Sequence, residues 1–367
     1  MKRLLFVSNE GSLTGAPLFI SRLIKFIKVR KPEFEIAILF AQDGPVVHAL
    51  RREGIRVFVS QKRGSIKSNG SLVLTRILYY LFYVRVVINY RPDLIYSNTL
   101  VNFGEVILAG FYRIPVILHM HEGRQFASAF RYRLKISCYF STLIIVGSKY
   151  VRGVLRELTG RDGVVIYNGI EIKNQMISGK AGFDSPIRIG VLGSIDSNKG
   201  QIVAIRAIKF LVDKGVPAKL MIAGKVSDKQ YFCELLDFVD KNNLSDYVEF
   251  SGVVESSVLF LQSLDFLVVP SFDEAFPTVI LEAFSVGVVV MASNVGGIPE
   301  MIKNGESGFL FEAGDSEMLS DLIEKFFQKK LIVDSIRKDA FRILTDRFCL
   351  ETACLEISEA IDKCVCD

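Results

Sequence analysis

Short runs of aliphatic and β-branched residues recur along the whole chain, apolar at successive positions rather than at alternate ones. In the first half they are RLLFVS (3–8), EIAILF (35–40), RVFVS (56–60), LIYSN (94–98), PVILHMH (115–121) and TLIIVGS (142–148). In the second half they are IRIGVLGS (187–194), KLMIAG (219–224), VEFSG (248–252), FLVVPS (266–271) and VVVMAS (288–293). A strand with no polar face must be covered on both sides, which is the condition of a parallel sheet between layers of helix. Helical stretches at 16–30, 72–90, 102–111, 199–214, 228–242, 256–263, 277–286 and 315–328 supply the crossovers, in right-handed β-α-β units. The chain is therefore expected to be α/β, with two Rossmann-like domains.

At 367 residues the chain exceeds what one core usually serves. The expected division is 1–168 for the first domain and 169–346 for the second. A closing helix over 347–367 is expected to lie back across the first domain. The hinge is placed in the polar, periodless segment 168–187.

Charge separates the halves. Residues 1–185 carry 27 Lys and Arg against 12 Asp and Glu, a surplus of 15, while the remainder carries 18 against 28, a deficit of 10. The basic half is either a solvated surface or a face for an anionic partner. No nucleic-acid recognition motif accompanies it, so nucleic acid is not the expected partner. An anionic membrane surface, or a phosphate-bearing acceptor, fits the adjacent oily helices, such as 72–90, better. Arg76 and Arg85 interrupt that segment, so it is expected to lie in an interface or a core rather than span a bilayer. The apolar run that follows the basic start ends after four residues, too short for an export signal. Six cysteines without paired spacing are read as free thiols, and the location as cytoplasmic.

Ligands of open parallel sheets bind at the carboxyl ends of strands. Four loops stand there: GSLTGAP (11–17), HMHEG (119–123), GSIDSNKG (193–200) and PSFDEAFP (270–277). The first, with Gly15 and Ala16, is either a plain turn or a backbone contact to an anion or acceptor. It lacks both the dinucleotide and the Walker spacing, which disfavours NAD binding and ATP hydrolysis. The third, with Gly193 and Ser194, adds Lys199 at a helix start; that is a surface lysine or a neutraliser of a diphosphate. His119 and His121 share one face of a strand end, but no further ligand spacing supports a metal. His121, beside Glu122, is read as a polar cleft residue.

The segment FDEAFPTVILEAF (272–284) places Glu274 and Glu282, with Asp273 beside the first, in a largely apolar stretch. Pro277 is suited to the first turn of a helix, so Glu274 belongs to the preceding loop and Glu282 to the second turn. Two separate salt bridges are one reading. The other is a polyol–diphosphate–ribose ligand whose phosphates meet the helix amides and whose hydroxyls meet the two acids.

The order GSIDSNKG, LMIAG, VEFSGVV, PSFDEAFPTVILEAFSVG, SNVGGIPEMIKNGESGFLFEAGD resembles family 4 of the retaining glycosyltransferases, which have the GT-B fold. GAP, HMHEG, VGSKYV and VIYNGIE extend the resemblance over the first half. It implies two Rossmann-like domains facing across a cleft, with a nucleoside diphosphate sugar, UDP- or GDP-linked, as co-substrate in the second. Glu282 would bind the ribose, Glu274 the donor hexose, and Lys199 with amides near Phe276, Pro277, Thr278 and Val279 the diphosphate. Gly193, Ser194 and Gly224 would line the donor site. His121 would lie near the transferred sugar, and Gly15, Ala16, Asn98 and Glu122 on the acceptor side. The implied acceptor is a glycan or polyprenyl-diphosphate-linked hydroxyl at the inner face of a membrane, with no metal or other cofactor. One departure stands out: the family's basic residue after the second-domain glycine is here Ser194. Alternatives left open are an epimerase or phosphorylase on the same fold, and a non-catalytic sugar-nucleotide binder.

Overall fold

The computed structural model describes residues 1–12, 15–60, 72–172, 185–328 and 333–366. They form two units, one of residues 1–168 with 351–366 and one of residues 169–350. Of the predicted hinge, residues 173–184 lie outside the described residues.

The first unit is built on seven strands: β1 (Lys2–Ser8), β2 (Phe34–Phe40), β3 (Arg56–Val59), β4 (Leu94–Ser97), β5 (Val116–Met120), β6 (Leu143–Val146) and β7 (Val164–Val165). All pairings are parallel, in the order β3-β2-β1-β4-β5-β6-β7. The second unit has β8 (Ile187–Leu192), β9 (Ala218–Ala223), β10 (Val248–Gly252), β11 (Phe266–Val269), β12 (Val289–Ser293) and β13 (Phe309–Phe311). Its order is β10-β9-β8-β11-β12-β13, again parallel throughout. The expected α/β class and both sheets are found. Among the described strands only β7 and β13 were not anticipated, because edge strands of two and three residues carry no readable period.

The apolar runs are strands for the reason inferred from them. Leu4 to Val7 are buried at four successive positions, as are Phe266 to Val269 in the second sheet. Local chemistry sets the helix ends. Ser148 accepts the Val151 N–H to open the helix Lys149–Thr159, and Gly160 closes it in the left-handed conformation. The predicted helix at 277–286 is Thr278–Ser285, and Pro277 is not in its first turn. With φ −75° and ψ 102° it is the extended residue before it. The last helix, Leu350–Cys366, belongs to the first unit, where the Lys2 ammonium reaches the Val365 carbonyl at 3.0 Å.

Candidate functional site

The strand order of the second unit reverses between β8 and β11, and the two loops leaving those strands meet there. They are joined by one side-chain and one backbone hydrogen bond. Asn198 Nδ2 donates to the Asp273 carbonyl at 2.9 Å, and the Phe272 N–H donates to the Asn198 carbonyl at 2.8 Å. Lys199 then reaches Glu274, with Nζ 2.6 Å from Oε1. Ser271 Oγ donates to the same oxygen at 2.8 Å. The buried carboxylate is thus satisfied by one cation and one hydroxyl, as its low exposure requires.

Two glycines make this arrangement possible. Gly224 has φ +152°, and a Cβ there would stand 1.7 Å from the Gly193 carbonyl oxygen. Gly296 has φ +58°, and its Cβ would stand 2.0 Å from the Glu274 carbonyl oxygen, which accepts the Gly297 N–H at 2.9 Å. The glycine turn of SNVGGIPE therefore fixes Glu274 from the backbone side. A small pocket lies at these strand ends, lined by Gly193, Lys199, Gln201, Ser271, Glu274 and Val279 among others.

Val279 is the second residue of the helix Thr278–Ser285, whose first N–H groups have no acceptor within the helix. Phe276, just before it, is anchored in the core against Phe348, ring centroids 5.3 Å apart. Glu282 stands four positions after Thr278 and three after Val279, so it shares their helix face. Among the described residues its carboxylate makes no ion pair or hydrogen bond, unlike Glu274. The reading as two separate salt bridges holds for one acid and not for the other.

Ser194 turns into its own loop. Its Oγ donates to Asp196 Oδ2 at 2.6 Å, and its carbonyl accepts Gln201 Nε2 at 2.8 Å. Asp196 Oδ1 in turn accepts the Lys199 N–H at 3.2 Å, capping the short turn Ser197–Lys199. The loop holds Lys199 by these bonds.

The first unit has its own polar cluster, at the carboxyl ends of β4 and β5. His121 Nε2 lies 3.1 Å from Asn98 Oδ1, and its Nδ1 lies 3.3 Å from Asn168 Nδ2. An acceptor at one nitrogen and a donor at the other suit a neutral imidazole protonated on Nε2. Burial pushes the His121 imidazole down to about 4. His119 stacks on it at 3.9 Å, is itself pushed well down by burial and by His121, and meets the Tyr96 hydroxyl at 2.6 Å. Asn98 also donates to the Ala16 carbonyl at 2.9 Å, near the start of the helix Gly15–Arg30. Leu13 and Thr14 of that loop lie outside the described residues. Glu122 uses both oxygens internally: Oε1 accepts from the Thr99 hydroxyl and the Leu100 N–H, and Oε2 accepts from the His121 N–H. Burial pushes this carboxyl up, while those hydrogen bonds oppose the shift.

Within the second unit, then, Gly193, Ser194, Lys199, Gly224, Glu274 and the 276–282 segment are brought to one set of strand ends. Within the first, Ala16, Asn98, His121 and Glu122 gather. The sequence reading missed Asn168, Ser271 and Gln201. Asn168 and Ser271 stand in the quoted motifs VIYNGIE and PSFDEAFP, yet an amide or a hydroxyl in a loop gives no sign of what it will hold. No cluster of metal-binding side chains occurs among the described residues, and no described helix is long and apolar enough to cross a membrane.

The family "Glycosyl transferases group 1" matches residues 174–342, and "Glycosyltransferase Family 4" matches residues 33–174. An uncharacterized glycosyltransferase of Methanocaldococcus jannaschii is 32% identical over 244 residues, 64% of this chain and 65% of its own. The capsular polysaccharide biosynthesis glycosyltransferase CapM of Staphylococcus aureus is 28% identical over 160 residues, 44% of this chain and 42% of its own. The chain thus spans less than two thirds of the length of these curated relatives. Among solved structures, Anabaena HepE in complex with UDP and glucose superposes with a TM-score of 0.82. That match is 23% identical and covers 99% of this chain and 100% of the other. It gives the fold as GT-B.

Proposed function

The chain belongs to family 4 of the glycosyltransferases, and from that premise we propose that it moves a hexose from a nucleoside diphosphate sugar to an acceptor hydroxyl with retention at the anomeric carbon. The observation that carries the reading is the Lys199–Glu274 pair at the switch point of the second sheet, beside a helix start and an unpartnered Glu282.

In this reading the diphosphate meets the Thr278 and Val279 amides and Lys199. Glu282 accepts from the ribose diol, and Glu274 from hexose hydroxyls. Charge develops on the departing phosphate oxygen as the C1–O bond breaks. Preorganised N–H groups and an ammonium stabilise it there without reorganising. The acceptor oxygen bonds to C1 on the face the diphosphate leaves, and its proton passes to the departing phosphate. His121, neutral and held by Asn98 and Asn168, is the polar ring that the first unit offers to its ligand. Glu122 keeps the loop before it in place. HepE, crystallised with UDP and glucose, supports testing a UDP-linked hexose first. CapM, named for capsular polysaccharide biosynthesis, supports a glycan acceptor. We assign that acceptor to a lipid carrier at the cytoplasmic face of a membrane.

A second reading has one observation in its favour. Ser194, where the family has a cation, spends its hydroxyl on Asp196, so the loop offers one positive charge fewer. A sugar-nucleotide binder without turnover would tolerate that. Incubation with a panel of UDP- and GDP-hexoses, read by release of the nucleoside diphosphate, separates the two. Turnover that Glu274→Ala abolishes supports transfer; UDP binding without turnover in any arm supports the binder. An inverted product by NMR would remove the retaining mechanism alone.

A further inference from the structure

Three helices of the first unit cover one side of its sheet: Leu72–Tyr90, Phe103–Phe111 and Arg131–Phe140. Their inner faces are accounted for. Tyr79, Tyr83, Val86, Val87, Val106 and Ala109 are buried with sheet residues such as Leu5, Val7 and Ile95, and Phe140 packs against that cluster. The outer faces are the anomaly. On the first helix Leu74, Ile77, Leu81 and Ile88 are 50–60% exposed, at helical spacing, with Arg85 in the same stripe. On the third, Tyr132, Ile136 and Tyr139 recur at i, i+4 and i+7, and the two tyrosines are 82% and 78% exposed. Phe111, at the end of the second, is 73% exposed and touches Phe140, with ring centroids 5.6 Å apart. A helix apolar on both its inner and outer sides is not built to face water.

The exposed charges on these helices have one sign. The only acid in the three is Glu105, which is buried and bonded to the Tyr79 hydroxyl. Against it stand Arg76, Arg85, Arg131, Arg133 and Lys135. Arg76, Arg85 and Lys135 make no ion pair among the described residues, and the Arg133 guanidinium lies over the Phe103 and Phe130 rings, at 4.7 and 4.8 Å. Exposed aromatics interleaved with unpaired cations match the boundary of an anionic bilayer, where rings sit at the headgroups and cations meet phosphate. A second copy fits poorly, because a two-fold interface would set this all-basic face against itself.

We propose that this three-helix face lies on the surface of an anionic phospholipid bilayer, half inserted and not spanning. The surface is argued from its own side chains; its purpose, holding the enzyme beside a lipid-borne acceptor, rests on the reading of the preceding subsection.

Vesicle co-sedimentation of the full chain tests it, with phosphatidylcholine alone or with 30 mol% phosphatidylglycerol as the probe (about a third anionic, in the range that recruits basic surfaces). Binding to the anionic vesicles at low salt, weakened by added NaCl and absent from neutral vesicles, is the expected result. Leu81→Ser with Tyr139→Ser should lower the partition coefficient by about tenfold or more. Arg85→Gln and Lys135→Gln should each lower it by about fivefold. Melting temperature and UDP binding, which draws on the second unit, should not change in any of these variants. The proposal is overturned if the wild type stays in solution at low salt, or if correctly folded variants bind as it does. It is also overturned if ultracentrifugation finds a dimer that Leu81→Ser dissociates. A chain that transfers sugar to a soluble acceptor but ignores vesicles loses only this surface. One that binds vesicles but turns over no sugar nucleotide loses only the proposed activity.

Discussion

Lys199 and Glu274 stand 75 positions apart in the chain, yet Nζ lies 2.6 Å from Oε1, in a loop frame that also bonds Asn198 to Asp273. Each loop leaves a different strand of one sheet, and the ion pair adds a side-chain link to the hydrogen bonds between them.

Lys199→Met removes the ammonium and leaves a buried carboxylate with the Ser271 hydroxyl as its partner among the described residues. Turnover should fall by about 10²–10³, the scale of losing one preorganised charge stabiliser. Stability should fall by about 1–3 kcal/mol, less than for a fully buried pair because Lys199 is partly open to water. Lys199→Met/Glu274→Gln should be more stable than Lys199→Met alone, since it removes the uncompensated charge. Initial rates and urea midpoints of the wild type and the two variants check this. Equal stability of the single and double variants would mean that the pair does not hold the loops together.

Glu282→Gln should behave differently. No described residue partners that carboxylate, so the melting temperature should stay within about 1 °C of wild type, as for a surface change. Loss of a charged acceptor for a diol should weaken nucleotide binding by about tenfold or more. Calorimetric titration with UDP, against the 2′-deoxy analogue, reads this directly. An unchanged affinity would take Glu282 out of the site.

Gly296→Ala adds a methyl group 2.0 Å from the Glu274 carbonyl oxygen at φ +58°. It should destabilise the second unit by more than about 2 kcal/mol and displace Glu274. Gly215→Ala, at φ +71° with nothing within 4 Å of its Cβ, isolates the backbone strain and should cost about 1–2 kcal/mol. Urea unfolding of both separates strain from collision, and equal losses would mean the loop gives way freely.

His121 titrates near 4 in the folded chain because of burial, against about 6.5 when unfolded. The unfolded state therefore takes up the proton first as pH falls. The stability of the folded form is intact above pH 6.5 and is lost progressively down to pH 4, by up to about 3 kcal/mol. His119, shifted the same way, adds to the loss. Glu122, whose carboxyl is pushed up, acts with the opposite sign, gaining as it protonates. His121→Asn should flatten the fall between pH 6.5 and 4, which unfolding curves at four pH values would reveal. An unchanged slope would show that the ring is protonated in the folded state.

The sequence by itself determined the sheets. Runs such as 3–8 and 266–271, apolar at successive positions, can be satisfied only between helical layers. The carboxyl ends of those strands were therefore the places to look for a ligand. Motif order also assigned the family, and charge counting pointed to the basic half. Composition did not show which side of which helix carries the excess cations. That depended on Tyr79 and Tyr83 turning inward while Leu81 and Arg85 turn outward, a matter of packing against the sheet. Pairing was equally hidden: nothing in 193–200 says that Lys199 will meet Glu274, or in 165–168 that Asn168 will hold His121. Strand and helix periods are local and repeat within a few residues, so a chain states them openly. A hydrogen bond between loops is set by where two strand ends come to rest, and only the folded backbone fixes that distance.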